Sequence, residues 1–336
     1  MKLLIVTQKV DATDRNLGFF IRWIKKFSEH AEVTVIANEV GSYDFPENVR
    51  VLSLGKEKGT SRLIRLFRYR ILLWETLSKV DGVFFHMCPE YVLAAKLLPR
   101  LFRKKSILWY THKEVSLRLR VASWLVNKIY TASKESCRLP SKKVEVVGHG
   151  IDVDFFTNRP TQRTPFHLVS VGRIAPVKDL ETIIRAFLEL KKKDSTTELS
   201  IVGVPITAVD QLYRAKLANL APSVHFTSFP YGEVFEHEYP YNVFVHASKT
   251  GSMDKAVLEA LSAGLPVFTS SEAFASTIPG VTKFREGDPS DLAQKLLLAS
   301  KRGEIVYTDR GREWVQEHHS LDRLITKICS YFNQHL

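Results

Sequence analysis

Two successive blocks of alternating strand-like and helix-like segments constrain this chain more than any other feature of its sequence. Short β-branched or aromatic runs fall at 3–6, 33–37, 82–86, 106–110, 129–132 and 144–147, and again, after a break, at 167–171, 198–202, 224–227, 243–246 and 267–269. Amphipathic stretches lie between them. Leu180, Ile183, Ile184, Phe187 and Leu190, for example, recur at helical spacing and share one face. Parallel neighbours must be joined by crossovers, so strand–helix–strand alternation points to parallel sheets covered on both faces. Two such blocks predict two doubly wound, Rossmann-like α/β domains, at 1–154 and 155–315, with a C-terminal helical segment at 316–336. The polar stretch 154–165, with Pro160 and Pro165, marks the boundary. A length of 336 residues suits two domains.

In open α/β sheets ligands bind beyond the carboxyl ends of the strands, and with two such domains the expected site is the cleft between them. The informative residues fall at such strand ends. After the strand at 167–171 come Gly172, Arg173, Pro176 and Lys178, then a helix start. Arg173 offers a planar fork and Lys178 a point charge, both suited to a diphosphate. The alternative is a solvated basic helix start, which would oppose the helix dipole. After the strand at 243–246 comes Gly251-Ser252-Met253-Asp254, then a second helix start. A helix start there is expected to present N–H groups from Thr250–Asp254 to an anion, with Asp254 either part of that site or simply the N-cap. Glu259 follows among Ala256, Val257, Leu258, Ala260 and Leu261. A carboxylate in so apolar a helix needs a partner, and a ribose diol is one candidate; a plain surface glutamate is the other.

The first block carries two weaker signals. His112 follows the strand at 106–110 and is suited to a sugar hydroxyl or to proton traffic. Gly18 lies between the first strand and the first helix, a one-glycine version of a phosphate loop. Asp152 and Asp154 are read as linker and turn residues, not as a metal pair, and no metal is expected.

The net charge is +12 and the pI about 9.5. That balance permits nucleic acid, anionic lipid or phosphorylated ligands. No recognition motif accompanies the charge, so nucleic acid is not expected. Two basic amphipathic runs, 61–70 and 96–105, mix Arg and Lys with Leu, Phe and Ile in a way that suits an anionic membrane surface. No run approaches a membrane span, and three scattered cysteines show no metal or disulfide spacing. The expected location is cytoplasmic, peripheral on the inner face of a membrane.

These residues together resemble the retaining glycosyltransferases of family 4, with the GT-B fold. The resemblance covers nearly the whole chain and is strongest from Gly148 to Pro266. It implies that Gly172, Arg173 and Lys178 hold the diphosphate of a nucleotide-sugar donor, a UDP- or GDP-sugar. It also implies that Glu259, in Glu-Ala-x-x-x-Gly264-x-Pro266, binds the donor ribose, and that His112 lies near the transferred sugar. The last helix is implied to cross back to the first domain. The implied reaction is metal-independent transfer with retention to an acceptor hydroxyl, a glycan or lipid-linked acceptor, needing no cofactor. A leaving phosphate oxygen would take the acceptor's proton. One departure stands out. The family pattern has a sugar-contacting glutamate eight residues before Glu259, where this chain has Gly251; Asp254 is the nearest carboxylate. A nucleotide-sugar-binding protein without transfer is therefore the alternative.

Overall fold

The computed structural model describes residues 1–156, 165–229, 233–235, 241–301, 307 and 309–334. The chain divides into two compact units: residues 1–152 with 319–336, and residues 153–318. Most of the polar stretch at 154–165 lies outside the described residues.

Unit 1 is built on seven parallel strands. They are β1 (Lys2–Val10), β2 (Glu32–Val40), β3 (Val49–Ser53), β4 (Gly82–His86), β5 (Lys105–Trp109), β6 (Lys128–Thr131) and β7 (Val144–Val146), in the order β3-β2-β1-β4-β5-β6-β7. Its first five helices are α1 (Phe19–Ser28), α2 (Arg62–Leu77), α3 (Pro89–Ala95), α4 (Leu98–Leu101) and α5 (Leu117–Leu125). Because successive strand residues point to opposite faces, β1 feeds two cores. Leu3 and Ile5 join Phe20, Trp23 and Phe27 of α1, whereas Leu4 and Val6 join Tyr69, Leu73 and Leu77 of α2 and Leu119 of α5.

Unit 2 has six parallel strands. With their helices they run β8 (His167–Val171), α6 (Leu180–Lys191), β9 (Glu198–Val202), α7 (Ala208–Leu220), β10 (His225–Thr227), β11 (Val243–His246), α8 (Lys255–Ser262), β12 (Val267–Thr269), β13 (Val281–Lys283), α9 (Pro289–Lys301) and α10 (Asp309–His319). The order is β10-β9-β8-β11-β12-β13. Ile183 and Phe187 of α6 and Leu292 and Leu296 of α9 pack with Leu168, Leu199 and Val243 of the sheet.

The last helix, α11 (Leu321–Asn333), belongs to unit 1. Its Leu324, Ile325, Ile328 and Phe332, spaced for one face, are fully or almost fully buried in the core that holds Trp23 and Phe27. Ile151 pairs with Ser320 as an isolated parallel bridge just ahead of it.

Two strands were not anticipated from sequence. β3 (Val49–Ser53) contains Arg50 and β13 (Val281–Lys283) is three residues long, so neither makes an apolar run. The basic run at 96–105 is not one helix. Pro99 lacks an N–H and sits in the first turn of the short α4, and Lys96 ends α3 with a positive φ of 50°.

Candidate functional site

The ends of β8 and β11 and the loops beyond them form a charged cluster within unit 2. A tight crossing fixes its first part. Gly172 donates its N–H to the Val202 carbonyl at 2.9 Å, and Gly203 passes directly over Gly172. A Cβ at Gly203 would stand 1.9 Å from the Gly172 carbonyl oxygen, so only glycine fits.

Arg173 follows and lays its guanidinium on Asp210, with Nε donating at 3.0 Å to Oδ2 and the second contact to Oδ1 at 3.3 Å. Asp210 is buried and also closes the start of α7. It accepts N–H bonds from Ile206 and Thr207, and Thr207 accepts from the Asp210 N–H in return, a capping box. Burial alone would raise the Asp210 carboxyl; the Thr207 and Ile206 N–H groups and Arg173 outweigh it and bring it down to about 2.

Lys178 closes a 3-10 turn, Pro176–Lys178, and its ammonium donates to the Asp254 carboxylate. The two loops are tied further by the Lys249 N–H, bonded to the Val177 carbonyl at 2.9 Å, and by the Lys249 ammonium, 3.0 Å from Asp179. Asp254 has a second partner. His246, the last residue of β11, places Nε2 3.1 Å from Asp254 Oδ2 and Nδ1 3.0 Å from the hydroxyl of Thr269, its register partner on β12. Burial works to raise the Asp254 carboxyl, but Lys178 and His246 hold it well below the ordinary range.

Asp254 occupies the N-cap position of α8, yet its side chain makes no capping bond; the carboxylate is turned to Lys178 and His246 instead. The N-cap reading of its side chain is thereby replaced. Gly251 ahead of it has φ 63°. A glutamate would be strained in that conformation. Ser252 bonds Thr250 at 3.4 Å, and Met253 is buried. Glu259 is buried on α8, not a surface glutamate, with Lys255 one turn before it at 4.0 Å. α8 ends on a paired closure, Gly264 N–H to Leu261 and Leu265 N–H to Ala260, which accounts for the glycine of the Glu-Ala-x-x-x-Gly-x-Pro pattern.

Gly172, Arg173, Lys178, Gly251, Ser252, Met253, Asp254 and Glu259 thus lie on the two loops and on α8, and the first three line one small cavity with His246. Gly18 and His112 belong to unit 1. Gly18 has φ −55°, open to any residue, and donates its N–H to the Asp14 carbonyl at 2.8 Å, so that N–H is already engaged. His112 is exposed beyond β5, and its Nδ1 accepts the Glu114 N–H at 3.2 Å. Asp152 and Asp154 pair with Arg22 and Arg312 respectively.

Sequence reasoning missed Asp210 and His246. Asp210 had one local signal, the Thr207-x-x-Asp210 spacing of a capping box. His246 had none, since it ends an apolar run.

Residues 165–301 match the family profile described as Glycosyl transferases group 1. The chain is similar to the UDP-N-acetylglucosamine–peptide N-acetylglucosaminyltransferase GtfA subunit of Streptococcus pneumoniae, 25% identical over 115 residues. That match takes in 34% of this chain and spans only 22% of that protein's length. Among solved structures, Anabaena HepE in complex with UDP superposes with a TM-score of 0.77 at 13% identity, over 99% of this chain and 100% of that one. Sucrose-phosphate synthase of Thermosynechococcus elongatus gives 0.77 at 14% identity, over 99% of each chain. The chain has the GT-B fold, and the profile match to Glycosyl transferases group 1 covers residues 165–301.

Proposed function

We propose that this chain transfers a sugar from a nucleoside-diphosphate sugar to an acceptor hydroxyl, with retention and without a metal. The observation that carries the reading is the meeting of Arg173, Lys178 and the start of α8 inside the group 1 domain. In this reading Gly172, Arg173, Lys178 and the Gly251–Asp254 loop receive the diphosphate, and Glu259 receives the ribose. His112 and Gly18 are assigned to the sugar and donor by the family resemblance alone. The sugar–phosphate C–O bond breaks as the acceptor oxygen bonds the same carbon on the same face. The acceptor's proton passes to the leaving phosphate oxygen. Charge grows on the leaving diphosphate, where a preorganised cation or N–H is worth about 3–4 kcal/mol. Complexes of HepE with UDP and with UDP-glucose support a uridine donor.

The test is a panel of UDP-, GDP- and ADP-sugars read by thermal shift, followed by nucleoside diphosphate release with lipid and glycan acceptors. Stabilisation by one donor and release with an acceptor are expected. No stabilisation by any donor would sink the reading. Gly251 favours a second reading, binding without transfer; donor stabilisation with no release under any acceptor would select it.

We infer further that the acceptor is a glycan or lipid-linked molecule met at an anionic membrane surface. No helix among the described residues is long and apolar enough to cross a membrane. Unit 1, however, carries an outward apolar surface. On α2, Leu63, Phe67, Ile71 and Trp74 face solvent while Tyr69, Leu73 and Leu77 face the core. On α5, Leu117 and Trp124 are each 75% exposed. Trp74 meets Phe102, just past α4, edge-on at 5.1 Å, and Arg100 of α4 bonds the Trp124 carbonyl, so the three helices adjoin. From 61 to 125 there are thirteen Lys or Arg against four Asp or Glu, so a second copy of this face would be repelled and an anionic surface attracted.

A further inference from the structure

Each cation around the anion site already has a counter-ion: Arg173 with Asp210, Lys178 with Asp254, Lys249 with Asp179 and Lys255 with Glu259. A nucleotide sugar brings two negative charges into this balanced cluster, which favours a cation changing partners or a proton entering. Lys178 has the arrangement for both. Its partner Asp254 also touches an imidazole, His246, whose two nitrogens each face an oxygen, Asp254 Oδ2 at 3.1 Å and Thr269 Oγ1 at 3.0 Å. A neutral imidazole donates from one nitrogen; an imidazolium donates from both. The Thr269 hydroxyl accepts the Ser271 N–H at 3.1 Å and keeps a lone pair for Nδ1–H.

The other groups that meet His246 set the sign. Arg173 and Lys178 line the cavity beside it, Asp254 lies on Nε2, β12 presents the uncharged Thr269, and Phe274 approaches edge-on at 6.2 Å. While Lys178 holds Asp254, a proton on His246 would add a cation beside two cations. Once Lys178 turns to phosphate, the same proton neutralises Asp254.

Resting on the nucleotide-sugar reading of the site, we propose that His246 is a positioning residue for Lys178. It takes up a proton from solvent when Lys178 leaves Asp254 for the donor's diphosphate, and returns it when the diphosphate departs. No bond other than N–H forms or breaks at His246 in this exchange. Its partners, and not contact with the donor, give it this role.

The experiment is calorimetric titration with UDP-glucose in buffers of different ionisation enthalpy. UDP-glucose is a diphosphate diester with no group titrating near neutrality, so any proton taken up belongs to the protein. Uptake of up to one proton is expected, and wherever it occurs affinity falls as pH rises, by up to about tenfold per pH unit. His246→Gln should abolish the uptake and flatten the pH profile. Thr269→Val, which removes the Nδ1–H acceptor, should reduce both and serves if the first variant does not fold. Binding without proton uptake, or uptake unchanged in either variant, overturns the proposal while leaving the site reading intact. Failure of wild-type protein to bind any UDP-, GDP- or ADP-sugar removes the site reading and this proposal with it.

Discussion

Lys178 and Asp254 form a pair in which each residue conceals the role of the other. Lys178→Ala removes a cation from the proposed leaving group, and turnover should fall about 100-fold or more. It also leaves a mostly buried carboxylate with His246 as its only remaining side-chain partner among those described, at a stability cost of up to about 3 kcal/mol. Lys178→Ala with Asp254→Asn separates the effects. The double variant should recover most of the melting temperature and none of the turnover; recovery of turnover would remove Lys178 from the reaction. Asp210 supplies a pH test. Its folded carboxyl titrates near 2 against an ordinary 3.8. Its stabilising contribution is therefore complete above 3.8 and is lost as pH falls through 2. Urea midpoints of Asp210→Asn should lie below wild type at pH 5 and converge with it near pH 2. At this scale the sequence displayed the cations but not their anions. Asp210 is 37 residues from Arg173 and Asp254 is 76 from Lys178, so only the strand order brings them together.

At the scale of elements, periodicity was legible wherever one face is apolar and obscure elsewhere. α6 and α11 show clean buried stripes, and both were readable. α2 is apolar on two sides, so its pattern reads as amphipathic without saying which side is buried. α5 escaped notice because Leu117, Val121 and Trp124 are masked by alternating Arg118 and Arg120. Its exposed stripe gives the membrane proposal a test independent of turnover. Vesicles of phosphatidylcholine with about one-third phosphatidylglycerol should bind the protein at least about tenfold more tightly than phosphatidylcholine alone. Phe67→Ser with Trp124→Ser, both outward-facing, should weaken that binding without lowering the melting temperature. Equal binding to the two vesicle types would refute the proposal. Concentration-dependent dimerisation through this face, without lipid binding, would assign the surface to a second copy.

For the molecule as a whole, two-domain α/β organisation was evident from the alternation alone, because crossovers leave few other ways to bury β-branched runs. What the alternation did not convey is that one unit is contiguous and the other is not. Residues 153–318 form a single stretch, whereas residues 1–152 are completed by 319–336. Expressed alone, 153–318 should fold cooperatively and retain donor-induced stabilisation. Residues 1–152 alone should not, since Leu324, Ile325, Ile328 and Phe332 fill the core around Trp23. Circular dichroism melts of the two fragments, with 319–336 added as a peptide to the second, would check this.

That discontinuity has a consequence during synthesis. On the ribosome, residues 1–152 emerge before 153–318 and must wait for those 166 intervening residues before the closing helix of unit 1 is made. At about 5–20 residues per second the wait is roughly ten to thirty seconds. Through that interval the apolar face that α11 covers in the finished unit, around Trp23 and Phe27, stays exposed, and it closes only once 319–336 has been made.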